Sequence, residues 1–171
     1  MNDCCMLKVV SGGQTGVDRA ALDAALEVGL RTGGWCPRGR RAEDGVIPAR
    51  YPLQEAPSVR YELRTRLNVE HSDGTLILAR GPLSGGTLQT LLFARQMQKP
   101  HWVVQLDRRP DWEAALAWLL EHHIRVLNVA GPRESNAPGI AAQARAWLVP
   151  LFLLWKEHGR GKGATEAHRR G

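Results

Sequence analysis

The chain reads Met6-Leu-Lys-Val-Val-Ser-Gly-Gly-Gln-Thr-Gly-Val-Asp-Arg19 near its start, so that a short apolar run leads through glycines into a helical pattern. Residues 6–11 are apolar and partly β-branched, which is typical of a buried parallel strand. From residue 17 to residue 28, small apolar residues recur with a period near 3.6, which predicts a helix. Gly29 follows where the C-terminal glycine of a helix belongs. This stretch therefore predicts a strand, a glycine-rich turn and a helix.

The same order of elements recurs along the rest of the chain. We predict strands at 31–36, 75–79, 102–106 and 125–130, helices at 58–70, 87–98, 111–122 and 139–158, and a long ordered loop at 37–57. Ser58 and Asp111 are candidate helix-start residues, and Pro150 is expected to kink the last helix. This alternation predicts an α/β, Rossmann-like fold with a mostly parallel sheet and helices on both faces. Ligands of such sheets bind at the carboxyl ends of the strands.

Composition narrows the class of protein. The length of 171 residues suits one domain, which we place at 1–157, followed by a basic flexible tail at 158–171. Half of the formal net charge of +6 lies in residues 156–171, so the charge favours a small anionic ligand over nucleic acid. The longest apolar run is about half of a membrane span, and we expect a cytoplasmic protein without a membrane partner. Three cysteines without a CxxC pair predict reduced thiols and no metal site.

Three glycine-rich turns carry the candidate ligand-binding residues, since each lies between a predicted strand and a predicted helix. Glycines let the backbone approach a ligand, and a helix N-terminus favours an anion. The candidates are Gly12, Gly13, Gln14, Thr15, Gly16 and Asp18 in the first turn, Ser84, Gly85, Gly86 and Thr87 in the second, and Gly131, Arg133 and Ser135 in the third. Each turn could instead be purely structural, with Asp18 as a helix-start acid.

The loop at 37–57 adds further candidates. Arg38, together with Arg40 and Arg41, could close over a phosphate or the flat ring of a ligand as a lid, or could belong to a solvated basic loop. Trp35 could stack on a flat ring or pack in the core. We assign no catalytic residue, because no pattern brings two acids together.

These motifs together resemble the SLOG superfamily of Rossmann-like proteins. The resemblance rests on Ser11-Gly-Gly-Gln-Thr-Gly-Val-Asp18, Gly81-Pro-Leu-Ser-Gly-Gly-Thr87 and Gly131-Pro-Arg-Glu-Ser135, and it spans about residues 6–145. The chain is most similar to the circularly permuted branch described as molybdenum cofactor carriers, because its Gly-Pro-Arg strand comes last instead of first. The resemblance implies one anion pocket and a non-catalytic carrier of a phosphate-bearing small molecule, with molybdenum cofactor (molybdopterin) as the carried ligand.

The same superfamily contains phosphoribohydrolases that act on nucleoside monophosphates, and this sequence departs from their signature, Pro-Gly-Gly-x-Gly-Thr-x-x-Glu. Leu83 and Ser84 stand in place of two glycines, and Thr90 stands in place of the catalytic glutamate. Threonine cannot supply the acid–base chemistry of a carboxylate. A nucleotide-cleaving enzyme that uses another acid such as Asp18, or a nucleotide sensor, remains the alternative, and a DNA-handling role is the weakest of the three.

The last predicted helix is apolar almost all round. Its large apolar residues are Trp147, Leu148, Leu151, Phe152, Leu154 and Trp155. A helix of this kind must be buried, and a small domain offers few places inside. We therefore predict a subunit interface on this helix, in a dimer or a tetramer.

Overall fold

The computed structural model describes the backbone of residues 6–167 and the side chains of residues 6–161. In chain order its elements are β1 (Lys8–Val10), α1 (Val17–Glu27), β2 (Arg31–Gly33), β3 (Trp35–Cys36), β4 (Arg41–Ala42), β5 (Gly45–Val46), β6 (Gln54–Glu55), α2 (Tyr61–Glu70), β7 (Gly74–Ala79), α3 (Gly85–Gln96), β8 (His101–Gln105), α4 (Trp112–Glu121), β9 (Val126–Ala130) and α5 (Ile140–Ala167). The neighbouring Cys4 and Cys5 lie outside the described residues.

Five strands form one parallel sheet in the order β2-β1-β9-β7-β8. Leu76 and Leu78 of β7 face a core that they share with α1, α4 and α5. Ile77, between them, is buried outside that core, on the face that α3 and its neighbour α2 cover. The α/β, Rossmann-like class with helices on both faces is therefore confirmed. The last strand, β9, lies at the centre of the sheet between β1 and β7, where a permuted chain would place it.

Several predicted boundaries need correction. The extended segment at 31–36 is two strands, because Gly34 turns the chain and β3 pairs with β6 in a separate small sheet. The predicted loop at 37–57 contains this β6 and the hairpin of β4 and β5. Helix α2 begins at Tyr61, and Arg60, without a side-chain cap, replaces Ser58 at its N-cap. Asp111 does cap α4, since its side chain accepts a hydrogen bond from Ala114 N.

Helix α5 is buried within the chain itself, which removes the reason for placing a subunit interface there. Trp147, Leu148, Leu151, Phe152 and Trp155 are all buried in the main core. The helix packs chiefly on α1. The small alanine side chains of α1 leave space for the large apolar residues of α5 inside the domain.

The ends of α5 also differ from the prediction. The helix continues through Pro150 and past residue 158 to Ala167, so part of the predicted tail has helical backbone. Residues 168–171 lie outside the described residues, and the division at 157 remains a prediction. None of the described helices is long and apolar enough to span a membrane.

Candidate functional site

A cavity of about 350 Å³ opens at the carboxyl ends of β1, β9 and β7. The chain leaves each of these strands through one of the three glycine-rich turns, so all three turns reach the cavity wall. Helix α2 closes one side with Tyr61, Arg64 and Thr65. The cavity therefore lies where parallel sheets of this kind bind ligands.

Most of the predicted site residues line this cavity, but not all of them do. Those that line it are Gln14, Asp18, Ser84, Gly85, Gly86, Thr87, Gly131 and Arg133. Gly12 lines a small adjoining recess that shares Asp18 and Arg64 with the cavity. Gly13, Thr15, Gly16, Arg38 and Ser135 are not among the lining residues. The structure thus brings together the core of the predicted set.

The space beside these glycines of the first and third turns is filled by other segments of the protein. A Cβ on Gly12 would lie 1.7 Å from Arg64 Nη1, and one on Gly16 would lie 2.3 Å from Pro132 O. A Cβ on Gly131 would lie 2.3 Å from Leu78 O. These glycines let the turns approach each other closely, whereas we had expected them to let a ligand approach the backbone.

N–H groups at the N-terminus of α1 also form hydrogen bonds within the protein, which corrects the expectation that this helix start binds an anion. Val17 N donates to Pro132 O at 3.2 Å, and Arg19 N donates to Gln14 O at 3.1 Å. These N–H groups therefore do not present a free cradle for an anion.

The N-terminus of α3 is different, because it faces open space. A Cβ on Gly85 or Gly86 would meet no atom within 4 Å. Ser84 precedes the helix without capping it through its side chain, and the N–H groups of residues 85–87 have no hydrogen-bond partner among the described residues. Free N–H groups and the positive end of the helix dipole together favour an anion at this place.

Arg64 and Asp18 form a buried ion pair in the cavity wall. Their side chains are 13% and 5% exposed, and Arg64 Nη1 lies 3.2 Å from Asp18 Oδ2. The same oxygen accepts a hydrogen bond from Gln14 N at 3.2 Å. Burial raises the pKa of Asp18, and the charge of Arg64 acts in the opposite direction. The Asp18 carboxylate is thus engaged by protein donors.

Two further arginines, Arg80 and Arg133, line the cavity. The guanidinium carbons of Arg64 and Arg133 lie 5.7 Å and 5.6 Å from the ring centre of Tyr61, so this ring is flanked by two cations. Asp18 is the only acid among the lining residues. The lining residues therefore carry an excess of positive charge, which Glu43 on the rim, 3.9 Å from Arg133, partly offsets.

The hairpin of β4 and β5 ties the first and third turns together through Glu43. The Glu43 carboxylate accepts hydrogen bonds from the Thr15 hydroxyl and from Ser135, whose Oγ is 2.5 Å away. Hydrogen bonds from Ser135, and then from Thr15, lower the pKa of Glu43. Thr15 and Ser135 therefore support the cavity rim from outside.

The predicted arginine lid is not what the structure shows. Arg40 donates to the backbone carbonyls of Ile47, Pro48, Tyr51 and Leu53, so it organises its own loop. The exposed Arg38 lies away from the cavity lining. Trp35 is half-buried beside His71 and does not line this cavity. Among the side chains of residues 6–161, no group of three or more His, Cys, Asp or Glu could hold a metal ion.

Sequence reasoning missed Arg64, Tyr61 and Arg80. A signal for Arg64 existed in α2, where the polar Thr65 and Asn68 recur at helical spacing and are both buried. Polar residues on the inward stripe of a helix indicate a polar interior surface. Nothing comparable marked Tyr61 or Arg80.

The parallel sheet and the cavity at its carboxyl edge place the chain among Rossmann-like α/β proteins. Within that class, the chain belongs to the circularly permutated YpsA SLOG family, whose family model matches residues 9–152. The predicted superfamily and its permuted branch are thereby confirmed.

A solved structure supports the same assignment. The crystal structure of a putative molybdenum carrier protein from Syntrophus aciditrophicus SB is 46% identical to this chain, with a TM-score of 0.81. The match covers 87% of this chain and 96% of the other. No curated protein matches the chain.

Proposed function

We propose that this protein is a non-catalytic carrier that binds a phosphate-bearing small molecule in the cavity, and that its ligand is the molybdenum cofactor. The observation that carries the phosphate part is the open N-terminus of α3, where Gly85 and Gly86 face empty space and three N–H groups have no partner among the described residues. The molybdenum part of the proposal is supported by the solved structure of the putative molybdenum carrier protein described above, and the cofactor form of the metal is our own inference.

The cavity suits such a ligand in size and charge. Its volume of about 350 Å³ is at the lower end of the range for small-molecule sites. A phosphate at the N-terminus of α3 would receive backbone hydrogen bonds, and Arg80 and Arg133 would compensate its charge. The half-buried Arg133 is already oriented by Tyr61. The molybdenum cofactor is cargo in this proposal and has no assigned chemistry here.

Two residues argue against the hydrolase alternative. Thr90 lines the cavity, and its hydroxyl donates to Gly86 O at 2.9 Å, so the place of the relatives' glutamate holds a helix-bonded hydroxyl. Asp18 is paired with Arg64 and accepts a backbone hydrogen bond. A carboxylate held in this way is poorly placed to act as a general acid or base.

The first test is to identify the bound ligand in protein purified from a host that makes the cofactor. The small molecule is released, oxidised and measured for pterin fluorescence and molybdenum content. We expect pterin and molybdenum to copurify in near-equal amounts with the wild-type protein. Release of a base or phosphate from a panel of nucleoside monophosphates would instead establish the enzyme alternative.

A matched pair of variants locates the ligand. Arg133→Ala removes a cation from the cavity, and we expect it to lose most of the bound ligand. Arg95→Ala removes the same charge from the exposed last turn of α3, outside the cavity, and we expect it to retain the ligand. Equal loss in both variants would contradict binding in this cavity.

Two other expectations accompany this proposal. We propose a cytoplasmic location, which fractionation of the native host tests. A homo-oligomer also remains a prediction, now without the support of α5, and light scattering on purified protein tests it.

A further inference from the structure

The side-chain amide of Gln14 has a fixed orientation. Its Oε1 accepts hydrogen bonds from Thr15 N at 3.0 Å and from Glu43 N at 2.9 Å. Since both backbone donors hold the oxygen, the Nε2 group must point the other way. Gln14 is only 6% exposed and lines the cavity, and its Nε2 has no partner among the described residues. Buried polar groups in folded proteins nearly always have a hydrogen-bond partner, so a buried donor without one is rare.

A second unpartnered donor lies nearby. Arg64 also lines the cavity, and its Nε is buried without a partner among the described residues. Gln14 N and Arg64 Nη1 both contact the same oxygen of Asp18, each at 3.2 Å, so the two residues meet at one place in the wall. The unsatisfied groups there are both N–H donors, and they call for an acceptor atom.

This place is separate from the N-terminus of α3. Gln14 follows β1, whereas α3 follows β7, and β9 lies between these two strands. Two strand spacings correspond to about 10 Å across the sheet. Inorganic phosphate is too small to reach both places at once.

We propose that Gln14 and Arg64 form a second subsite that binds a carbonyl oxygen of the ligand, so that the cavity selects phosphate monoesters whose far end presents a carbonyl. The inference rests on the proposed phosphate-binding function and adds a specificity for the rest of the molecule. Gln14 is the specificity-determining residue, because Thr15 and Glu43 leave its amide no freedom to turn its oxygen toward the ligand. A ring amino group at the same place would meet only donors.

Two nucleotides serve as matched probes, because IMP carries a ring carbonyl where AMP carries an amino group. Their affinities, and that of inorganic phosphate, are measured by calorimetry with the full chain. We expect the wild-type protein to bind IMP about tenfold more tightly than AMP, as one buried hydrogen bond would give. This comparison needs no variant and therefore does not depend on the folding of one.

A variant then assigns the preference to Gln14. Gln14→Glu keeps the oxygen that Thr15 N and Glu43 N need but replaces the amide donor by a second acceptor, so the preference for IMP should vanish. Gln89→Glu adds the same charge elsewhere in the cavity wall and should retain the preference. Thermal melting establishes that both variants are folded.

The outcomes separate the two proposals. Equal affinity of the wild-type protein for IMP and AMP, with both displaced by phosphate, would overturn the carbonyl subsite and leave the phosphate site standing. An IMP preference that survives in folded Gln14→Glu would also overturn it. Failure of phosphate and of both nucleotides to bind would overturn the proposed function itself.

Discussion

Replacing Gly16 and Gly86 by alanine separates glycines that build the cavity from glycines that leave it open. Gly16 has a φ of +79°, where a Cβ costs about 1–2 kcal/mol. Its Cβ would also lie 2.3 Å from Pro132 O, which accepts the hydrogen bond of Val17 N. Loss of that bond adds about 1 kcal/mol, so we expect Gly16→Ala to lower the free energy of unfolding by about 2–3 kcal/mol.

Gly86→Ala is the matched control for stability. Its Cβ would meet nothing within 4 Å, and it lies in the first turn of α3. Less freedom in the unfolded chain should raise the free energy of unfolding by about 0.5 kcal/mol. The added methyl group enters the open space at the helix N-terminus, so phosphate binding should weaken.

The free energy of unfolding of both variants is measured by urea unfolding followed with tryptophan fluorescence. Their affinity for inorganic phosphate is measured by calorimetry. If Gly16→Ala unfolded within about 0.5 kcal/mol of the wild type, the close approach of the turns would not be the reason for that glycine. Normal phosphate affinity of Gly86→Ala would contradict an anion site at α3.

Three further predictions concern buried or paired groups. Arg64→Met leaves the buried carboxylate of Asp18 without its charged partner and should lower the free energy of unfolding, measured with urea, by about 3–5 kcal/mol. Burial raises the pKa of Asp18 and the charge of Arg64 lowers it, so without Arg64 the pKa rises further and this loss should grow as pH rises above the ordinary value of 3.8. Hydrogen bonds, first from Ser135, lower the pKa of Glu43, so the stability that its carboxylate contributes is lost as pH falls below the ordinary value of 4.5. The Glu43→Gln variant should therefore lose less stability than the wild type over that pH range. Burial raises the pKa of the Cys36 thiol, and peptide mapping should find it modified by a thiol reagent only after unfolding.

The fold could be predicted from sequence because it depends on local patterns. The apolar strand at Lys8–Val10, the alanine-rich α1 and the following glycine each carry a signal within a few residues. Local patterns could not give the length of β3 or the start of α2, since pairing with β6 and the absence of a side-chain cap are set by tertiary contacts. The same limit explains α5, whose apolar surface gave no information on whether α1 or a second subunit would cover it.

The candidate site was harder to predict, because the residues that stand out in a sequence are not always those that face a ligand. Gly12 is conspicuous in the chain, yet its space is taken by Arg64. Arg64 is one arginine among many, and only the fold reveals that it pairs with Asp18 in the cavity wall. Many predicted residues that follow the strands line one cavity, since topology alone brings strand ends together.

The charges of the cavity give a last argument about the ligand. Arg64, Arg80 and Arg133 face a single acid, Asp18, among the lining residues. Arg64 and Asp18 compensate each other as an ion pair, and Arg133 lies 3.9 Å from the carboxylate of Glu43 on the rim, so Arg80 is the lining arginine without an acidic partner among the described residues. A phosphate monoester carries between about one and a half and two negative charges at neutral pH and a diester carries one, so the monoester would gain more from Arg80, from Arg133 and from the open N-terminus of α3. The cavity should therefore prefer a ligand with a terminal phosphate, and affinity should fall as pH drops through about 6, where that phosphate gains a proton.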